Sequence, residues 1–338
     1  MTLLFIDSFD HYTTVAQKYE DAQFVSIAAG TGRNGTNALV LTSGTGSAVA
    51  FKTVPTYDTF ILGCGFYAVN DCRRGFGVAD SGTRQITIVR NAAGLLEARR
   101  GVIGGGAIVA TGTTPLLTGQ YYYLEAYIIV HNSLGQIITR VNGIEDINAS
   151  GLDTQESGNA SANQVGFSSA DGSAGTIYFD DFYACDDQGS QNNAFLGDHR
   201  VEAIYPSGIG NSADWTPVGA ANNWDCADEN PPDGDTTYVS KDGSALPALD
   251  TYEMTDLITV VGNIAGVQTL LLARKDDAGV VTCEPTFRIG GVDYPQSSVN
   301  LPDTYGFLPE IVEDSPATLS SFTIAEVNGL EFGVQRSA

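Results

Sequence analysis

The chain has 338 residues, 43% of them hydrophobic and 17% charged, which excludes a disordered polyelectrolyte and leaves room for two domains of ordinary size. Forty acids face sixteen bases, a formal net charge of −24, so the surface repels nucleic-acid phosphate and no nucleic-acid partner is expected. No apolar run approaches the ~20 residues that span a bilayer. Met1-Thr-Leu-Leu-Phe-Ile-Asp7 lacks the basic start of a signal peptide, so cytosolic folding without membrane insertion is expected.

Strand-like runs dominate from the start. Leu3–Phe9 opens the chain, and Ala38–Thr42 and Ser47–Phe51 flank a Gly44-Thr-Gly46 turn. Phe60–Val69 is a long run whose glycines suggest a bulge or close packing. Gln85–Arg90 and Leu95–Arg99 form a hairpin around Asn91–Gly94, and Gly101–Gly106 makes a flexible hairpin tip. Tyr121–Val130 pairs with Gln136–Val141 across His131–Gly135, and Val165–Ser169 and Thr176–Ala184 close the set. About a dozen short strands with frequent turns indicate an all-β sandwich or jelly roll.

Residues 186–193 are polar and aperiodic. The first 190 residues hold 18 acids and 10 bases, the remainder 22 and 6, a shift that marks a boundary there. The expected organisation is therefore a jelly-roll domain over 1–187, a linker over 188–196 and a smaller β-sandwich over 197–338. In that second part Val267–Arg274 and Val280–Arg288 form a hairpin, with Pro285 placing its strand at an edge or bulge. Thr323 followed by Glu326 starts a short helix ended by Gly329, and Glu331–Arg336 is the last strand.

Asp225, Asp228, Glu229, Asp233 and Asp235 crowd one turn, and a calcium ion wants several such oxygens. The spacing excludes an EF-hand, and a solvated acidic turn is the alternative. Asp180-Asp181 invites a catalytic pair, yet neighbours in a strand point to opposite faces. One acid is expected in solvent and the other on a loop. His11, His131 and His199 lack a nucleophile elbow to serve. Five cysteines without a Cys-x-x-Cys are expected as buried free thiols. Tyr121, Tyr123, Trp215 and Trp224 are candidates to stack on sugar or meet another subunit, with core packing the alternative.

The strands around Asp7-Ser-Phe9, Tyr122-Tyr-Leu-Glu125 and Phe179-Asp-Asp-Phe-Tyr183 resemble the concanavalin A-like (laminin-G-like) jelly roll over residues 1–185. Gly197–Glu202, Pro206–Pro217, Pro231–Val239, Ala273–Gly279 and Asn328–Val334, in that order, resemble a module in structural proteins of tailed bacteriophages. This resemblance implies a non-enzymatic virion protein, tail-associated as a fibre, spike or collar appendage. It also implies a homo-oligomer, trimer or hexamer, that contacts other virion proteins and host-surface carbohydrate. No catalytic residue is carried over, and no cofactor is expected except calcium at the acidic turn. A capsid decoration (cement) protein and a polysaccharide-degrading tail enzyme are the alternatives.

Overall fold

A strand whose alternate side chains are apolar can hide that face only against another sheet. The computed structural model, which describes residues 2–41, 47–170 and 175–337, resolves the first half into two such sheets. Thr42 and the Gly44–Gly46 turn lie outside the described residues. The chain divides into two compact units, Met1–Val201 and Glu202–Ala338.

In unit 1 the described strands are β1 (Leu3–Asp7), β2 (Asp21–Gln23), β3 (Val25–Ala28), β4 (Ala38–Leu41), β5 (Val49–Tyr57), β6 (Thr59–Ala68), β7 (Arg74–Asp80) and β8 (Thr83–Arg90). They continue as β9 (Leu96–Arg100), β10 (Ala107–Thr111), β11 (Tyr121–Ile129), β12 (Gly135–Val141), β13 (Ile144–Leu152), β14 (Ala162–Ser169) and β15 (Ile177–Cys185). One sheet has the order β13-β12-β11-β6-β15-β4-β3, with β1 also on β15. The other runs β10-β9-β8-β7-β14-β5-β2. The pairings are antiparallel, and the expected β-sandwich of jelly-roll type is what forms. Both expected hairpins of this half are present, β8 with β9 and β11 with β12. The Gly101–Gly106 tip between β9 and β10 is anchored, since Ile103 is buried against Val89 and Ala170.

Between the sheets lie Phe66, Phe167, Phe179 and Phe182, with the Phe167 centroid 4.6 Å from Phe179 and 4.7 Å from Phe182. Each such ring contributes about 1.5–3 kcal/mol by leaving water. Near the chain start the buried Asp7 accepts from Lys18 Nζ (3.0 Å), Tyr12 Oη (2.7 Å) and Phe9 N (3.0 Å). Lys18 therefore lies in the interior already neutralised.

Unit 2 is built on a main sheet ordered Pro206–Ala213, Ala248–Met254, Glu331–Arg336, Thr282–Ile289, Val292–Pro295. Two-stranded ribbons accompany it: Thr216–Val218 with Tyr238–Ser240, and Val267–Ala273 with Gly306–Val312. Phe287, Phe322, Val327 and Leu330 form its core cluster. The helix Ile324–Gly329 starts as expected, with Thr323 accepting from Glu326 N at 3.1 Å.

The expected hairpin of Val267–Arg274 with Val280–Arg288 does not form. Lys275 donates its backbone N–H to Pro302 O (2.8 Å) and its ammonium to Asp303 (2.7 Å), which gives Val267–Ala273 the later strand Gly306–Val312 as partner. Thr282–Ile289 pairs instead with Glu331–Arg336 on one side and with Val292–Pro295 and Val299–Asn300 on the other. Pro285 thus sits in an interior strand, opposite the gap between those two short partners, and its carbonyl accepts from Gln296 N. All five cysteines are free and buried.

Candidate functional site

The face of the larger sheet turned away from the sandwich core carries a cluster of polar and aromatic side chains. On β6 the outward positions are Gly63, Gly65 and Tyr67. Opposite them on β11 stand Glu125, Tyr123 and Tyr121. On β15 the partners are Tyr183, Asp180 and Tyr178. Two glycines on the middle strand leave a trough. A Cβ at Gly63 would run into the Tyr183 ring, and one at Gly65 would sit 2.7 Å from Arg33 Cδ.

β15 is bulged in the middle of this face. Its register shifts between Asp180, opposite Gly65, and Tyr183, opposite Gly63, and Asp181 takes a left-handed φ of 47°. An extra residue in a bulge cancels the strict alternation of a strand, and Asp tolerates this conformation better than most residues. The expectation that Asp180 and Asp181 face opposite ways is therefore overturned. Both are buried, and both hold Arg33. Asp180 Oδ2 accepts from Arg33 N (2.6 Å) and lies within hydrogen-bond distance of Thr36 Oγ1 (3.1 Å). Asp181 Oδ2 accepts from Arg33 Nη1 (2.8 Å). Neither acid faces solvent.

Burial first, and the charge of Asp181 second, raise Asp180 to about 8. Burial also raises Asp181, against the pull of the Val201 N–H and Arg33. The hydrogen bonds are compatible with a protonated Asp180. Thr36 has one hydroxyl hydrogen and a closer acceptor for it in Arg33 O (2.7 Å), so Asp180 can donate to Thr36.

Segment 195–201 crosses the trough, held by side chains beneath it. Leu196 N donates to Tyr183 Oη (3.2 Å), Gly197 N to Glu125 Oε1 (2.8 Å) and Val201 N to Asp181 Oδ1 (2.9 Å). Arg33 donates upward to His199 O (3.1 Å) and Asp198 Oδ1 (2.5 Å), with its guanidinium 5.1 Å from the Tyr123 ring centroid. Arg140 lies over Phe195 at 4.3 Å. Residues that looked like the entry to the second domain are a clasp on the first.

Beyond the clasp three half-buried tyrosines remain. Tyr67 lies 5.0 Å from Tyr121 and 5.9 Å from Tyr178 between ring centroids, all tilted. Tyr121 Oη donates to Thr31 O (2.6 Å). The hydroxyls of Tyr67 and Tyr178 make no hydrogen bond among the described residues. Burial, then the charges of Asp180 and Asp181, raise Tyr121 above its ordinary range, so the platform and the acid pair are electrostatically close.

The other candidates sit elsewhere. Tyr123 is 2% exposed and lies beneath Arg33, where it supports the site from below. Trp215 and Trp224 are half-buried in unit 2. Trp215 is tied to that scaffold, donating from N to Asp250 (2.8 Å) and from Nε1 to Ala248 O (3.3 Å).

The acidic turn does not converge. Asp225 accepts from Asn222, Asp233 and Glu229 accept from Thr237, and Asp235 accepts from Arg274 and Tyr305. Asp228 joins none of them. Among the described residues no group of three or more His, Cys, Asp or Glu is placed to hold a metal ion. The sequence reading missed Tyr67, Tyr178 and Arg33. The signal for the two tyrosines was period two: each lies two positions from an outward Gly65 or Asp180.

No family model matches the chain, and no curated protein matches it. Solved structures similar to it include a carbohydrate-binding module (CBM66) from Bacillus subtilis, with 14% identity over 52% of this chain and 97% of that one, TM-score 0.34. An alginate lyase, Aly36B, shows 12% identity over 54% and 96%, TM-score 0.36. A carbohydrate esterase from the Shiga toxin-encoding bacteriophage phi24B shows 14% identity over 54% and 99%, TM-score 0.35.

Proposed function

We propose that the chain is a non-enzymatic structural protein of a tailed-bacteriophage particle, tail-associated, whose first unit attaches to host-surface glycan. The observation that carries attachment is the Tyr67–Tyr121–Tyr178 platform. Sugars offer apolar C–H faces ringed by hydroxyls, so a surface for them needs ring faces with hydrogen-bonding groups at the margin. The platform has both, with two hydroxyls unspent. The virion setting is supported by the ordered series of motifs in the sequence.

A binding rather than hydrolytic role is supported by how the acids are used. The oxygens of Asp180 and Asp181 are taken by Arg33, Thr36, Val201 and the Asp181 N–H. Glycoside hydrolysis needs two carboxyls facing a scissile bond. The motif residues of unit 2 are likewise bound to one another, with Glu331 accepting from Asn211 N and Thr251 Oγ1.

A glycan array with the intact protein tests the reading. Binding is expected, and Tyr67→Ala or Tyr178→Ala should weaken it about tenfold, as ~1.4 kcal/mol of lost stacking implies, in protein that circular dichroism shows to be still folded. Silence on arrays of host lipopolysaccharide and capsule would remove the attachment role. Copy number in electron micrographs of the particle separates a tail appendage from a capsid decoration protein.

A further inference from the structure

We infer that the tyrosine platform selects an uncharged glycan and rejects carboxylated, sulfated or phosphorylated ones; this rests on the glycan reading above. Anionic sugars are held by guanidinium or ammonium groups with donors to spare. Beside this platform stands Arg33, and three of its five N–H donors are spent within the protein. Nη1 serves Asp181 and His199 O, Nη2 serves Asp198, and its flat face lies on Tyr123.

Arg200 also acts here, and its charge falls on Asp10 and Asp181. Asp10, Asp181 and Asp198 thus offset the two arginines with one negative charge over, Asp180 being raised to about 8 by burial and its neighbour. An arriving carboxylate or sulfate would lose part of its water shell where negative charge outweighs positive, with Asp181 and its neighbours close to Tyr121. An uncharged sugar meets none of this. The Tyr67 and Tyr178 hydroxyls can each donate once and accept twice, which matches neutral hydroxyls.

The test titrates the full chain with gluco-, galacto- and manno-configured oligosaccharides and with their C6-oxidised, uronate-containing counterparts of equal length. The uncharged member of the bound pair should be at least about tenfold tighter. Its affinity should change by less than about twofold between 0.05 and 0.5 M salt, because screening acts on charge. Asp198→Asn, which releases Nη2 of Arg33 at an exposed position, should raise uronate affinity about threefold. A uronate bound as tightly as its neutral partner, or binding that collapses with salt, overturns the inference while leaving glycan attachment standing. Binding of neither class by folded protein removes both together.

Discussion

Asp7 and Lys18 show what a buried charge demands. Their side chains are 0% and 1% exposed, and Lys18 Nζ also donates to Ile6 O (3.1 Å). Burial alone would push the Asp7 carboxyl up, but Lys18, His11, Tyr12 and the Phe9 N–H outweigh it and hold it below its ordinary value. Removing one partner strands the other, so Asp7→Ala should cost about 3–5 kcal/mol in urea unfolding. Asp303→Ala, which breaks a pair whose acid is 83% exposed, should cost less than about 1 kcal/mol. Asp180 runs the other way in pH. Its folded value is raised above the unfolded one, so the native state binds the extra proton, and stability should fall as pH rises from about 4 through about 8. Asp181→Asn removes the neighbouring charge. The Asp180 titration, followed by carboxyl carbon NMR, should then move to lower pH; an unmoved midpoint would refute the coupling.

At the scale of elements, the trough depends on β6 lacking side chains where β15 and the 30–37 loop bring theirs. Gly63→Ala forces a methyl into the Tyr183 ring and should lower stability by about 1–3 kcal/mol. Gly104→Ala, with nothing within 4 Å of the added carbon, should leave the denaturation midpoint within about 0.5 kcal/mol of the parent. What was legible in the sequence was local. The β8–β9 and β11–β12 hairpins and the Thr323 cap follow from neighbouring residues, and they are where periodicity and turn chemistry place them. The glycines of Phe60–Val69 were legible as close packing, but the bulge lies on the next strand. It could not be read, because Asp181 is fixed by Arg33, 148 positions away in sequence. The partner of Val267–Ala273 escaped for a similar reason: Lys275-Asp-Asp-Ala-Gly279 looks like a hairpin turn, yet Lys275 is spent on Asp303. Tyr121 was legible as a candidate; its assembly with Tyr67 and Tyr178 depends on strands far apart in the chain.

For the whole molecule, the Gly197–Glu202 motif divides between the two units. Gly197, Asp198 and Val201 bind Glu125, Arg33 and Asp181 of unit 1, while the Glu202 carboxylate accepts from Ile258 N and Thr259 N of unit 2. Composition puts a domain limit at 188–196; the hydrogen bonds run to residue 201. A fragment ending at Val201 keeps the clasp, whereas one ending at residue 187 strips Glu125 and Asp181 of the Gly197 and Val201 N–H groups and opens the trough to water. The longer fragment should unfold at a midpoint several degrees higher by calorimetry, since ~1 kcal/mol shifts a domain of this size by about 2–4 °C. Equal midpoints would show that the clasp contributes nothing to unit 1.

The pairing of β1 with β15 also sets an order in time. Leu3 and Phe5 leave the ribosome well before their strand partners, Cys185 and Ala184, which follow about 180 residues later. At roughly 5–20 residues per second that is a wait of about 10–40 s. Throughout it, the nascent chain carries an apolar strand with no neighbour on which to close. A ribosome that stalls, or a message cut short, before Ile177 would release a polypeptide whose first strand can never be sealed, and such chains are the ones that aggregate.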